Sequence, residues 1–397
     1  MSSSAQTLLR SDLSQTALLG EHVEILSGFA FDASLFSDTD GIPLIRIRDV
    51  VRGYTETRYR GAYEEKYLVQ PGDLLVGMDG DFNRALWTSE PALLNQRVCR
   101  VTAQAQTLDQ RYLYHFLPYP LMDIWHQTPF ATVKHLSAKS IKSIRIPLPP
   151  IAEQQRIAAI LDKADELRAK RRQAIAHLDA LTHSIFHSMF GSPSPTSAEL
   201  AIEDLAASPK GAIRTGPFGS QLLTSEFTDD GVAVLGIDNA VTNTFAWAQR
   251  RYISEEKYDQ LRRYRVWPGD LLITIMGTLG RCAVVPRDVP KAINTKHLCC
   301  ITLNRDLVVP EWLHAYFLQS ETARSYLRQT TKGAIMGGLN MGIIKNMPVS
   351  VPPLALQQTF ANRVAAVERL NETHRKHLAE LDALFASLQS RAFKGEL

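Results

Sequence analysis

The sequence contains the same order of local signals twice. Residues 149–155 read Pro-Pro-Ile-Ala-Glu-Gln-Gln, residues 352–358 read Pro-Pro-Leu-Ala-Leu-Gln-Gln, and each motif opens a long stretch without proline or glycine. Upstream of each motif, a β-patterned segment carries Pro-Gly-Asp-Leu-Leu, at residues 71–75 and 268–272. The offset drifts from 190 (Gly41 to Gly231) to 203 (Gln154 to Gln357), as in related domains that have diverged by loop insertions. The repeat predicts the order globule, long helix, globule, long helix.

Both globules have the pattern of mixed α/β domains. Short apolar runs bounded by Gly, Pro, Asp and Asn predict strands at residues 42–50, 73–77 and 97–102, and again at 231–237, 271–275 and 297–303. Helical segments follow at 110–127 and 311–329. We therefore expect an α+β fold with boundaries at 1–150 (first domain), 151–191 (first long helix), 192–353 (second domain) and 354–397 (second long helix).

The two proline-free stretches predict helices over 153–190 and 356–393, each roughly 50–55 Å long at ~1.5 Å per residue. Their apolar residues alternate spacings of three and four, which is a heptad seam. The seam positions are 161, 164, 168, 171, 175, 178, 182 and 185 in the first helix, and 364, 367, 371, 374, 378, 381, 385 and 388 in the second. We expect antiparallel pairing, because the intervening domain can return the chain from the far end of the first helix.

Both seams are polar at their centres, with Arg168 and Arg171 in one helix and Asn371 and His374 in the other. One interpretation is a lock on the register of a structural coiled coil, at some cost in stability. The other is a basic patch at residues 168–172 that faces DNA or a partner. The sequence leaves both open.

Composition limits the function classes. The chain has 397 residues, 45% hydrophobic content and a net charge of +3, which permits an anionic partner without demanding one. Cys99, Cys282, Cys299 and Cys300 form no metal-binding or disulfide pattern, so we expect buried thiols. Residues 1–20 lack the apolar core of a signal peptide and no run of ~18 apolar residues occurs, so we expect a cytoplasmic protein without a membrane span.

No catalytic motif stands out. Residues 64–67 and 255–258 pair acids with a lysine near Pro-Gly-Asp, as in metal-dependent nucleases, but in the reverse order, which favours a surface helix ahead of a strand. The sequence has no phosphate loop of the form Gly-x-x-x-x-Gly-Lys-Ser/Thr and no Asn/Asp-Pro-Pro-aromatic tetrapeptide. We expect no catalytic residues, cofactor or metal in this chain.

Residues 146–157, Ile-Pro-Leu-Pro-Pro-Ile-Ala-Glu-Gln-Gln-Arg-Ile, resemble the central conserved region of the specificity subunits of type I restriction–modification enzymes. The C-terminal copy resembles the distal conserved region, with Leu356 where Glu is usual and Thr359-Phe360 in place of Arg-Ile. The resemblance covers nearly the whole chain. It implies two target-recognition domains, separated by an antiparallel helix pair, that each read half of a split duplex DNA site.

The resemblance also implies partners. They are two modification (methyltransferase) subunits, which carry S-adenosylmethionine, and restriction (motor-nuclease) subunits, with ATP and Mg²⁺ on partner subunits too. This chain would then be the non-catalytic subunit, and helix length would set the spacer between half-sites. Two alternatives stay open: a restriction endonuclease that acts by itself, and a coiled-coil adaptor that does not touch DNA.

Duplex reading needs Arg, Lys, Asn or Gln displayed on loops. The candidates in the first domain are Arg46, Arg48, Arg58, Arg60, Asn83, Arg84, Lys134 and His135. The candidates in the second are Arg214, Thr215, Ser220, Gln221, Asn239, Asn243, Lys332 and Asn340. We expect the conserved motifs and the seams to form subunit and helix interfaces through Glu153, Gln154, Gln155, Ile157, Leu161, Ile175, Leu178, Ile185, Gln357, Gln358, Val364, Val367, Leu378, Leu381, Phe385 and Leu388.

Overall fold

The computed structural model describes residues 16–128, 133–191, 197–207, 210–247, 249–331 and 339–397. Its internal contacts divide the chain into two compact units, Met1–Arg172 with Lys376–Leu397, and Gln173–Arg375. Each unit therefore contains one globular domain together with a segment of each long helix.

The first unit has eleven strands and four short helices in its described residues. The strands are β1 (Thr16–Leu18), β2 (Val23–Ser27), β3 (Phe36–Ser37), β4 (Ile42–Ile45), β5 (Arg58–Tyr59), β6 (Leu68–Val69), β7 (Leu74–Gly77), β8 (Arg84–Leu86), β9 (Ala92–Leu94), β10 (Val98–Ala103) and β11 (Arg145–Pro147). The short helices are α1 (Asp49–Arg52), α2 (Gln110–Phe116), α3 (Pro118–Gln127) and α4 (Ala138–Lys142). The first long helix, α5 (Ile151–Phe190), follows.

The second unit repeats this inventory. Its strands are β12 (Ala198–Ala201), β13 (Ile213–Thr215), β14 (Phe227–Thr228), β15 (Val232–Leu235), β16 (Tyr252–Ile253), β17 (Arg265–Val266), β18 (Leu271–Thr274), β19 (Cys282–Val284), β20 (Ala292–Asn294), β21 (Leu298–Ile301) and β22 (Pro348–Val351). Its short helices are α6 (Glu255–Leu261), α7 (Pro310–Gln319), α8 (Glu321–Thr331) and α9 (Met341–Lys345), and the second long helix is α10 (Leu354–Lys394).

The sheet topology is the same in both units. In the first unit the strand orders are β2-β10-β7-β8, β3-β5-β4-β9-β6 and β1-β11. In the second they are β13-β21-β18-β19, β14-β16-β15-β20-β17 and β12-β22, so that adding eleven to each strand number converts one unit into the other. Even the one parallel pairing of each five-stranded sheet corresponds, β4 with β9 and β15 with β20. The duplication predicted from sequence is thus confirmed at the level of strand pairing.

Several predicted elements differ in detail. The helix predicted at 311–329 is divided at Ser320, whose backbone is extended, into α7 and α8. The strand predicted at 42–50 ends at Ile45, because the Asp49 carboxylate accepts a hydrogen bond from the Arg46 amide at 2.9 Å and α1 begins there. The helix predicted at 110–127 is divided into α2 and α3, because Pro118 has no amide hydrogen to continue the first ladder.

The long helices complete the cores of the domains. In the first unit, Ile157 and Leu161 of α5 and Ala392 of α10 are buried in the main core. In the second, Phe186 of α5 and Phe360 of α10 are buried in the main core. All the predicted seam positions are buried or half-buried. Each domain therefore shares its hydrophobic core with segments of both long helices. Burial of these apolar side chains favours the docked position of the segments.

Within each unit the two helix segments run antiparallel, as predicted. In the first unit, Arg156 near the start of α5 donates to the main-chain oxygen of Leu397 at 2.9 Å, while Arg168 further along pairs with Asp382. In the second unit, Phe190 at the end of α5 packs on Phe360 near the start of α10.

All four cysteines are free and buried, as expected. Burial raises the pKa of Cys99 and of Cys299 to about 12, so both thiols stay protonated. Among the described residues, no helix is long and apolar enough to cross a membrane.

Candidate nucleic-acid interface

The repeated Pro-Gly-Asp motif has a structural role in both units. Asp73 and Asp270 each accept a hydrogen bond from the amide three residues earlier, at 2.8 and 2.9 Å. Each aspartate also pairs with an arginine, Asp73 with Arg100 at 3.3 Å and Asp270 with Arg214 at 2.9 Å. The motif therefore closes a turn and anchors a guanidinium inside the domain.

Arg214 is not available to DNA, which corrects the prediction from sequence. It is 9% exposed, pairs with Asp270 and donates to the main-chain oxygens of Ala212 and Arg265. A buried guanidinium that lost these partners would be strongly destabilising. Its hydrogen bonds join β13 to the residues at Arg265 and Asp270.

Three other predicted DNA contacts in the first unit are also engaged within the protein. Arg58 donates to the Gly41 carbonyl at 3.0 Å and pairs with Glu90 at 3.1 Å. Arg84 lies 3.7 Å above the Tyr114 ring, and burial lowers its pKa. Lys134 is 9% exposed; its ammonium lies 3.5 Å from the centre of the Trp125 ring and donates to the main-chain oxygen of that residue. All three side chains thus make contacts within the domain, and Arg58 and Arg84 lie on strands and not on loops.

In the second unit, Asn239 and Asn243 also make internal hydrogen bonds. Asn239 is 1% exposed; it accepts from the Gly236 amide and donates to the Ala246 carbonyl, both at 2.8 Å. Asn243 is half-buried, has a positive φ of 62° and accepts from the Cys282 amide at 3.2 Å. Asn239 is therefore structural, and Asn243 shapes its loop. Lys332 lies outside the described residues.

The remaining candidates are at the surface and stay predictions. Arg46, Arg48, Arg60, Asn83, His135, Ser220, Gln221 and Asn340 are exposed, and Thr215 is half-buried. Asn340 also caps α9 by accepting from the Ile343 amide at 2.9 Å.

An exposed corner in the first unit brings one of these candidates together with an arginine that the sequence did not suggest. Gly28 lies so close to the connection between β9 and β10 that an added Cβ would sit 2.0 Å from the Asn95 carbonyl oxygen. The connection ends at Arg97, whose φ is +74°, a left-handed conformation that is uncommon outside glycine. Asp79 pairs with Arg97 at 3.2 Å and with His135 at 2.7 Å. Both basic side chains are more than half exposed.

The second unit has the equivalent corner with different side chains. An added Cβ on Gly216 would again sit 2.0 Å from a carbonyl oxygen, that of Asn294 before β21. Lys296 and His297 occupy the connection and line a cleft of about 370 Å³ that also includes Arg251. Partial burial, with Lys296 and Arg251 nearby, lowers the pKa of His297. A neutral imidazole has one donor and one acceptor nitrogen, so it can meet either kind of base edge.

Aligning the two copies at this connection would have found the missed residues. Residues 95–98 read Asn-Gln-Arg-Val and residues 295–298 read Thr-Lys-His-Leu, an offset of 200 (Val98 to Leu298). At this offset His297 corresponds to Arg97 and Lys296 to Gln96, so each copy has one basic residue within two positions of the same strand. Backbone strain held by surrounding structure clusters at functional sites, so Arg97 is a reasonable functional residue.

The first glutamine of the repeated helix motif, Gln154 or Gln357, bonds within its own domain and does not lie on an outer surface. Gln154 is fully buried; it accepts from the Asp109 amide at 2.9 Å and donates to the carbonyls of Thr107 and Pro149. Gln357 makes the same three kinds of bond in the second unit, to the Val309 amide and the carbonyls of Leu307 and Pro352. These two glutamines were expected at subunit or helix interfaces. They instead join the first turn of each long helix to its own domain, while Gln155 and Gln358 are exposed.

The polar centres of the helices form one ion cluster in each unit. In the first unit, Asp382 of α10 receives Arg168 at 2.6 Å and Arg172 at 3.1 Å from α5. In the second, Asp179 of α5 receives Asn371 and, at 3.4 Å, Arg375 from α10. Because Arg168 and Arg172 are paired within the protein, the register-lock interpretation is favoured over the basic patch.

These features define a class: a protein with two copies of a mixed α/β domain, each joined to a long helix and each with a polar corner of its own. The family model of the type I restriction modification DNA specificity domain matches residues 13–177 and 220–383, one match for each copy. The chain belongs to the family of type I restriction–modification specificity subunits.

Individual relatives agree. The specificity subunit of the type I restriction enzyme EcoBI from Escherichia coli is 32% identical, over 94% of this chain and 84% of the relative. That of MjaVIII from Methanocaldococcus jannaschii is 18% identical, over 96% and 92% of the two chains. The crystal structure of the S subunit of a type I restriction-modification system from M. genitalium has the same fold, with a TM-score of 0.60, 15% identity and 96% coverage of both chains.

Proposed function

We propose that this chain is the non-catalytic subunit that reads bipartite duplex DNA for a type I restriction–modification complex, with each unit reading one half of the site. The observation that supports this best is the duplicated fold with different corners, Arg97 and His135 in one unit and Lys296 and His297 in the other. Equivalent placement suits two halves of one DNA site, and different chemistry suits two different base sequences.

The chemistry of the corners fits base reading. An arginine can donate two parallel hydrogen bonds to guanine in the major groove, and a good bidentate pair contributes about 1–3 kcal/mol of discrimination. Asp79 holds Arg97 and His135 on one carboxylate, which reduces the freedom they lose on binding. We infer that the aspartate orients the reading side chains and does not itself touch DNA.

The partners and cofactors follow from the same proposal. With a net charge of only +3, the chain offers little sequence-independent attraction to phosphate, so we expect weak DNA binding by the chain alone. Two modification subunits and the restriction subunits would supply the rest, together with S-adenosylmethionine, ATP and Mg²⁺. We also propose a cytoplasmic location, where the DNA target lies.

The decisive experiment reconstitutes the full chain with the modification subunits and maps methylated positions in DNA. We expect methylation at a split, non-palindromic sequence with a spacer of constant length. A complex that methylates or binds duplexes without sequence preference would refute the proposal.

The two alternatives have their own tests. Incubating the purified chain with DNA and Mg²⁺ alone should leave the DNA intact, and cleavage would favour a stand-alone endonuclease. Reversing the charges at Arg97 and Lys296 should abolish site-specific methylation, and unchanged methylation would favour an adaptor that does not touch DNA.

A further inference from the structure

A second basic cluster lies in the second unit, at the far end of β13 and β21 from the corner. The corner follows β13 at Gly216 and precedes β21 at residues 295–297, whereas this cleft includes Ala212 before β13 and Thr302 after β21. The cleft has a volume of about 470 Å³. Its charged and aromatic lining is Arg214, Arg262, Arg263, Arg265 and Trp267.

Two of the four arginines have no acidic partner among the described residues. Arg214 pairs with Asp270 and Arg262 with Asp259, at 2.9 and 2.6 Å. For Arg263 and Arg265, no carboxylate lies within ion-pair distance in the part of the chain that the structure describes.

Arg265 is held in a fixed plane. Its guanidinium carbon lies 3.7 Å above the Trp267 ring, and its buried Nε has no hydrogen-bond partner among the described residues. Arg263 lies 4.7 Å above the Tyr264 ring. Stacking on aromatic faces orients a guanidinium while leaving its edge able to meet an anion.

The fold does not require this cluster. At the offset of 197 that relates Asp73 to Asp270, the first unit has Glu65, Lys66, Leu68 and Gln70 in place of Arg262, Arg263, Arg265 and Trp267. Lys66 is paired with Glu64 at 2.7 Å. Only the pair of Asp270 with Arg214 has a counterpart, in Asp73 and Arg100. Since the same topology forms without the extra arginines, their mutual repulsion is a cost that folding does not explain.

We propose that this cleft binds backbone phosphates of DNA beside the half-site that the second unit reads, and that the first unit has no equivalent clamp. The proposal rests on the DNA-reading function above. Arginine binds phosphate oxygens through two parallel hydrogen bonds, and such contacts set position without carrying sequence information. The affinity for DNA at the two half-sites would then depend on ionic strength to different degrees.

The test measures DNA affinity against salt concentration, using the full chain in complex with the modification subunits. Each phosphate contact contributes about 0.9 to the slope of log affinity against log salt, so the double variant Arg263→Gln/Arg265→Gln should flatten the slope by about 2. Its preference among half-site sequences should be unchanged. The matched control Lys66→Gln, at the position equivalent to Arg263, should leave the slope as it was.

A second measurement needs no variant. Ethylation of single phosphates should interfere with binding of the unaltered complex beside one half-site only. An unchanged slope in the double variant, or equal interference at both halves, would overturn this inference while leaving the DNA-reading function intact. Failure of that function would instead appear as loss of sequence preference in the unaltered complex.

Discussion

At the residue scale, the two buried glutamines explain why the helix motif occurs twice. Gln154 and Gln357 each bond one amide and two carbonyls in the loops around the start of a long helix. No other side chain of this length supplies an acceptor and two donors from one planar group. The motif therefore fixes the angle at which the chain leaves each domain.

We expect Gln154→Ala to lower the free energy of unfolding of the first unit by about 2–4 kcal/mol, because it leaves a buried amide and buried carbonyls without partners. Urea unfolding of the full chain measures this. Gln155→Ala is the matched control, since its exposed neighbour should change stability by less than about 0.5 kcal/mol. Equal effects of the two substitutions would contradict the role of Gln154.

The departures of the second copy from the family pattern are also explained by residue contacts. Glu153 and Arg156 form a salt bridge at 2.7 Å in the first helix, and at the offset of 203 both are replaced together, by Leu356 and Thr359. Phe360 replaces isoleucine where it can pack on Phe186 and Phe190, with ring centroids 5.9 and 5.6 Å away. The first change removes both members of a salt bridge, and the second adds a ring that packs against two other rings.

The corners give a reciprocal prediction about base reading. Arg97→Gln should relax the sequence preference at one position in one half-site, at a cost of about 1–3 kcal/mol in discrimination. Lys296→Gln should affect the other half-site only, so each variant controls for the other. Sequencing of DNA methylated by each reconstituted complex reads out both, and a change in both halves from one substitution would contradict the assignment of one half-site to each unit.

His115 predicts a pH dependence in the first unit. Burial lowers its pKa, although Asp162 accepts a hydrogen bond from its Nε2 at 2.6 Å. Because the folded-state pKa lies below the unfolded value of about 6.5, the unfolded state binds the proton first, and stability falls as the pH drops below that value. Calorimetry between neutral and mildly acidic pH should show a smaller loss of Tm in His115→Gln than in the unaltered chain. A loss of Tm as large as in the unaltered chain would show that His115 is not the group responsible for the pH dependence.

At the element scale, the long helices carry the same ion cluster twice. At the offset of 203, Asp179 corresponds to Asp382, Arg168 to Asn371 and Arg172 to Arg375. In each unit an aspartate on one long helix bonds to two side chains, four positions apart, on the other long helix. Such pairing holds only at one register, since a shift by a heptad separates the partners.

We expect Asp382→Arg to destabilise the first unit by about 1–2 kcal/mol, because it brings a third guanidinium to Arg168 and Arg172. Adding Arg172→Asp to the same chain should recover part of the loss, by restoring an opposite pair. A double-mutant cycle of thermal unfolding measures this coupling. Strict additivity would show that the cluster does not select the register.

At the scale of the whole molecule, contacts divide the chain in a way that the linear order of domains does not suggest. Each unit takes the end of one long helix and the end of the other into its core. Shortening α5 alone would therefore mismatch it with α10. A test of helix length as a ruler needs deletions in both helices.

Removing residues 169–175 together with residues 372–378 keeps the heptad phase and the 203-residue correspondence of both helices. It retains both aspartates of the ion clusters. If the helices set the spacing, the recognised spacer should shorten by about three base pairs, since seven residues span ~10.5 Å and a base pair ~3.4 Å. Methylation mapping gives the spacer directly. Unchanged spacing with both half-sites preserved would refute the ruler.

The sequence by itself determined the duplicated domain order, the two long helices and their seams. These depend on local periodicity and on motifs that each repeat carries within a few residues, so no long-range information is needed. The antiparallel direction also followed, from chain connectivity. The end of a strand, such as that at Ile45, was harder to predict from sequence. It depends on a single hydrogen bond, from the Arg46 amide to the Asp49 carboxylate.

Only the tertiary structure decided which polar residues are displayed. The aspartate of the repeated motif pairs with Arg100 of β10 in the first unit and with Arg214 of β13 in the second. Arg100 lies opposite Leu26 of β2, whereas Arg214 lies opposite Cys300 of β21. The arginine has therefore changed to the neighbouring strand between the two copies. No reading of one strand alone reveals that exchange. Arg214 looked like a loop residue and is a core ion pair, while Arg97, unremarked in the sequence, is held outward by Asp79. The difference lies in cross-strand register, which joins residues far apart in the chain.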